Sequence, residues 1–112
     1  MDPVGRLRER RAELESLLAR LDDDDADLRN DRADANADDE HDPEGSTLSG
    51  EWQRVEALRI STRDELAQVA TALSRVDAGT YGVCERCGTP IPDARLEVRP
   101  QATTCVACAS VA

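Results

Sequence analysis

Phenylalanine and lysine are absent from this chain, and tryptophan, tyrosine and histidine occur once each. A chain of 112 residues with 2% aromatics has no large core to bury, so its fold needs help from long helices or a metal. No run of 18 or more apolar residues occurs, which excludes a membrane-spanning helix. The N-terminus MDPVGRLRERR runs into charge where a signal peptide would place an apolar stretch. A soluble, cytoplasmic protein is expected. All 14 basic residues are Arg, which suggests a GC-rich genome. No nucleophile with its base, no phosphate-cradling glycine loop and no open metal site is recognisable, so the chain reads as a non-enzyme.

What is abundant is acid, and it is concentrated. The net charge is −10, made of +1 over residues 1–20, −11 over 21–51 and zero over 52–112. Without a cluster of basic side chains, general attraction to nucleic-acid phosphates is excluded. One acidic knot, ADDEHDPEG at residues 37–45, lies between two helical-looking stretches. It is either a solvated linker or the working end of the molecule.

The flanking patterns bear on that choice. Leu7, Leu14, Leu21 and Leu28 recur every seven residues, with Leu17 and Leu18 between them and Val4 upstream, as in a coiled-coil seam. Leu48, Trp52, Val55, Leu58, Thr62, Leu66, Val69, Leu73 and Val76 follow at spacings of three or four. This predicts a second helix ending near Asp77, where Ala78-Gly79 supplies a helix-terminating glycine. Packed antiparallel, the helices pair residues whose numbers add to 83, such as Leu14 with Val69 and Leu28 with Val55, which centres the turn between His41 and Asp42. Asp42-Pro43-Glu44 independently reads as a helix start, with a capping Asp, Pro at the first position and an acid in the positive first turn. ADDEHDPEG is then the tip of a hairpin on the order of 50 Å long. Gly45 and Gly50, each costing roughly 1 kcal/mol against Ala, and the four like charges Asp22 to Asp25 predict an outer half that frays more readily than the base. Arg11 and Asp25 fall near the seam.

The four cysteines stand as Cys84-x2-Cys87 and Cys105-x2-Cys108. Two such turns each place two sulfurs on one side of a knuckle, and four thiolates complete a tetrahedron around one structural Zn2+. A redox dithiol and a pair of disulfides are the alternatives; reduced cytoplasmic thiols and the absence of a βαβ pattern weigh against them. Gly82 and Gly88 suit the turns, and Ile91, Leu96 and Val98 are expected to form a small apolar shell. The fold class is therefore mostly α: an antiparallel coiled-coil hairpin over 1–78, with its acidic tip near 38–44, and a four-cysteine zinc finger over 79–112 opposite the tip. Arg86, Arg95 and Arg99 either form a contact surface, or pair with Glu85, Asp93 and Glu97 or shield the thiolates. Tyr81 is expected to wedge the knob against the hairpin base.

The run AGTYGVCERCGTPIPDARLEVRPQATTCVACA, preceded by a heptad hairpin, resembles the DksA/TraR C4-type zinc-finger family. The resemblance implies a transcription regulator that binds bacterial RNA polymerase, sends its coiled-coil tip down the secondary channel toward the catalytic magnesium, and modulates initiation without reading DNA sequence. It implies that Asp38, Asp39, Glu40, Asp42 and Glu44 form the acting tip. An acidic tip would be drawn toward a positively charged, metal-containing channel. The chain departs from the family's Asp-x-x-Asp-x-Ala tip, having Gly45 and Thr47 at the later positions counted from Asp42, and it has the length of the short, TraR-like type. Response to an alarmone nucleotide is not carried over. The other reading is a zinc-stapled coiled-coil adaptor for another protein. His41 is either a solvated turn residue or a charge switch near neutral pH, and Trp52 either packs in the seam or anchors a partner. A monomer is expected.

Overall fold

The computed structural model describes residues 2–38 and 44–111, with the side chains of 32, 34–38 and 44–48 excepted. Four helices follow one another: α1 (Pro3–Asp38), α2 (Glu44–Ala78), α3 (Asp93–Val98) and α4 (Val106–Ala109). The long pair α1 and α2 forms the hairpin that the heptads predict, and the four cysteines cluster after it. The predicted turn at His41 and Asp42 lies outside the described residues. Among those described, no helix is long and apolar enough to cross a membrane.

Local chemistry accounts for the helix ends. Asp2 Oδ1 accepts a hydrogen bond of 2.6 Å from Gly5 N, and Pro3 takes the first helical position, where a missing N–H is harmless. At the end of α2, Gly79 adopts a left-handed φ of 76°. Its N–H then reaches Val76 O at 3.1 Å while Thr80 N reaches Arg75 O at 2.9 Å, so two terminal carbonyls gain partners.

By packing, the chain divides into two units, Met1–Glu13 with Glu65–Ala112, and Leu14–Asp64. In the second, Leu14, Leu21, Val55 and Thr62 are buried, and Asp25 joins them. The first buries Leu7, Val69 and Ala72 where α1 and α2 meet; there Arg10 Nε donates to Glu65 Oε2 at 2.6 Å. The seam is narrower than the apolar stripe suggests. Leu58 is half exposed, and Ala72, outside the stripe, is buried. Positions about seven apart, here 7, 14, 21 and 55, 62, 69, stay at the centre of a helix contact, and Asp25 and Ala72 join them one turn on from Leu21 and Val69.

Candidate metal centre

The zinc-finger segment belongs wholly to the first unit. Its first knuckle is a tight turn. Cys84 N donates to Thr89 O at 2.8 Å, Gly88 N to Cys84 O at 2.9 Å and Ile91 N to Gly82 O at 2.7 Å, around an isolated antiparallel bridge between Val83 and Pro90. Gly88 turns the chain with a φ of 74°, a conformation that side chains disfavour. The second knuckle uses a helix start instead, with Cys105 as the residue before α4 and Ala109 N on its carbonyl at 2.9 Å. The knuckles are tied together by Glu85 N on Thr103 O at 2.9 Å and by the Thr103 hydroxyl on Glu85 Oε1 at 3.2 Å.

These turns bring all four sulfurs within 4.8 Å of one another. Four thiolates about 2.3 Å from one ion stand about 3.8 Å apart along each tetrahedron edge, and Cys87 Sγ lies 3.8 Å from Cys105 Sγ. The cluster has the size and the soft donors that zinc requires. It is a structural zinc site, and Cys84, Cys87, Cys105 and Cys108 are the residues that would hold the ion.

The surroundings of Cys84 and Cys87 favour thiolate. Backbone N–H groups of Cys87 and Cys105 hold the Cys84 thiol down to about 6. The Thr89 hydroxyl, 2.9 Å from Cys87 Sγ, lowers that thiol as well. Cys108, crowded by the thiols of Cys105, Cys84 and Cys87, is pushed up to about 12. Four sulfurs this close resist full ionisation until a cation offsets their charge.

Beneath the sulfurs, Cys84, Ile91, Leu96 and Ala102 form the core, with Tyr81, Cys105 and Cys108 against it. Val98, expected in this shell, is 87% exposed. The last turn of the short helix α3 carries it to the far side from Leu96, and Ala102 fills the place. Tyr81 donates its hydroxyl to Pro100 O at 2.8 Å, and burial raises its pKa. Two of the three arginines serve backbone carbonyls: Arg86 donates to Val111 O at 3.1 Å and Arg95 Nε to Thr104 O at 2.8 Å. Glu85 takes its ion pair from Arg75 of α2, at 3.3 Å. Arg95 and Arg99 also line a cleft of about 550 Å³ with Gln68, Thr71 and Gln101.

Of the expected tip, Asp39, Glu40 and Asp42 lie outside the described residues. Asp38 closes α1 and Glu44 opens α2, and their side chains lie outside too. Sequence reasoning misses Thr89 and Arg75. A Thr two residues after a CxxC cysteine is a usable signal for the first; nothing local marks the second.

A four-thiolate knuckle pair following two long helices defines a C4-type zinc-finger protein. Residues 79–112 match the family model described as prokaryotic dksA/traR C4-type zinc finger. The chain is 48% identical over 54 residues to the RNA polymerase-binding transcription factor DksA of Caulobacter vibrioides, a match covering 45% of this chain and 38% of that protein. To General stress protein 16O of Bacillus subtilis it is 37% identical over 68 residues, covering 61% and 42%. The matched stretches thus span less than half the length of these relatives. The structure of transcription factor DksA2 from Pseudomonas aeruginosa superposes with a TM-score of 0.80 over 96% of this chain and 77% of that one, at 24% identity. The likeness establishes a shared fold.

Proposed function

We propose that this protein is a non-enzymatic transcription regulator that binds RNA polymerase and inserts an acidic coiled-coil tip into its secondary channel, modulating initiation without sequence-specific DNA binding. The observation that carries this reading is the pairing of a dksA/traR zinc finger with two long helices, the end of the first and the start of the second holding nearly all the net charge within residues 21–51. Two of the proteins this chain is similar to bear the name RNA polymerase-binding transcription factor. In this reading Asp38, Asp39, Glu40, Asp42 and Glu44 act, and the zinc site holds the base of the hairpin in shape. A negative segment is repelled by a nucleic-acid backbone and attracted to a cationic channel holding a divalent metal.

Co-purification with polymerase, together with transcription in vitro, tests the proposal. Wild type is compared with a variant carrying Asp38→Asn, Asp39→Asn, Glu40→Gln, Asp42→Asn and Glu44→Gln. The wild type should be retained and should alter initiation, and the variant should lose the effect on initiation. Equal effects from both proteins would eliminate the tip mechanism.

A further inference from the structure

The contact between α1 and α2 in the unit Leu14–Asp64 carries charge where its neighbours are apolar. Asp25 follows Leu21 by one helical turn and, at 6% exposure, is as buried as Leu21 itself. Its Oδ1 accepts a 2.8 Å hydrogen bond from Trp52 Nε1. Its Oδ2 lies 3.0 Å from Arg29 Nε and 3.3 Å from an Arg59 guanidinium nitrogen. The Arg59 side chain, 13% exposed, also reaches Asp22 at 2.8 Å and Glu56 at 2.7 Å. Among the described residues, no buried side-chain nitrogen or oxygen lacks a partner.

Apolar packing alone does not fix how the helices align. Leu14, Leu21 and Leu28 on α1, and Leu48, Val55 and Thr62 on α2, both recur every seven residues. Sliding one helix by seven therefore sets apolar against apolar again. The charged cluster does not repeat in this way. One slip brings Gly45 and Trp52 to the places of Trp52 and Arg59, and the opposite slip brings Arg59 and Leu66. Either slip leaves a desolvated carboxylate short of partners, which is the expensive state for a buried charge.

We propose that Asp25, Trp52 and Arg59 form a register lock that selects one alignment of α1 with α2 and thereby sets which residues stand at the turn. Trp52 is a positioning residue in this arrangement, acting through Asp25. The inference concerns the hairpin itself and holds whichever partner the protein binds.

The test uses the full zinc-loaded chain with spin-labelled unnatural amino acids at the exposed positions Ala26 and Ala57, which leaves the cysteines untouched. Pulsed dipolar spectroscopy should give one narrow distance for the otherwise unaltered protein. The double variant Asp25→Leu, Arg59→Leu should keep its helix content and a midpoint of unfolding at least as high, yet show a second population offset along the helix by about 10 Å, seven residues at 1.5 Å each. Asp25→Asn, nearly isosteric and still able to accept from Trp52 Nε1, should broaden the distribution without lowering helix content. A single narrow distance in the double variant overturns the proposal. If that variant does not fold, a single narrow distance in Asp25→Asn does the same.

Discussion

Arg75 joins helix to zinc finger through both its backbone and its side chain. Its carbonyl accepts Thr80 N at 2.9 Å and Tyr81 N at 3.1 Å, and its guanidinium donates to Thr80 O at 3.1 Å, to Val83 O and to Glu85 at 3.3 Å. The last turn of α2 and the approach to Cys84 are therefore one hydrogen-bonded piece. Hydrogen bonds from a charged donor contribute about 2 kcal/mol, so Arg75→Ala should destabilise the zinc-loaded protein by about that amount and speed zinc loss to a chelator, while Arg75→Lys should do less of both. Thermal unfolding and chelator kinetics read the two effects; unchanged values would refute the coupling. Removing a ligand is more severe, because structural zinc contributes roughly 10 kcal/mol or more. Cys84→Ser should abolish stoichiometric zinc and the amide dispersion of residues 79–111 in NMR spectra. The metal site is legible in the spacing of the cysteines alone, because two CxxC turns already fix which four sulfurs can meet. Arg75 is not legible there, since its partners are carbonyls whose positions depend on the path of the turn.

Among the elements, α2 holds two correctable weaknesses. Gly50 is exposed within the helix, and a β-carbon there would meet nothing within 4 Å, so Gly50→Ala should add about 1 kcal/mol by helix propensity. Thr62 is 5% exposed on the seam, its hydroxyl turned back onto Leu58 O at 2.7 Å. Thr62→Val should be stabilising by about 1 kcal/mol as a methyl replaces the hydroxyl. Chemical unfolding checks both, and a loss of stability in either would contradict the packing described. The Arg10 hydrogen bond lowers the Glu65 pKa from its ordinary value near 4.5. The pair therefore contributes stability above that value, and the contribution is lost as pH falls through the lower folded pKa. Both partners are partly exposed, so its size is at most about 1 kcal/mol, and Glu65→Gln should flatten the acid limb of stability against pH by that much. The two long helices, the end of α2 beside Gly79 and the leucine heptads are readable from spacing and capping chemistry. Leu58 falls on the wrong side of that reading because a stripe with spacings of three and four is wider than the contact it serves, and Ala72 because the stripe follows the larger apolar side chains and passes over a small residue one turn from Val69. Asp25, which the sequence places near the seam, is held by Trp52 and Arg59 from the opposite helix, 27 and 34 positions away in sequence, where local pattern carries no information.

At the scale of the whole molecule, charge is the dominant property. A net −10 with −11 confined to residues 21–51 makes association with a cationic partner fast and sensitive to salt. Raising ionic strength should slow the association rate with polymerase far more than the dissociation rate, and neutralising the five proposed tip acids should reduce that salt dependence. The proposed contact between the acidic tip and the secondary channel of RNA polymerase is read by site-specific photocrosslinking. With a crosslinking amino acid at Glu40, the protein should attach to polymerase residues lining the secondary channel, and excess unlabelled protein should compete the product away. Crosslinks from Glu40 that fall only on the outer surface of the enzyme, or on no polymerase subunit, would contradict the account.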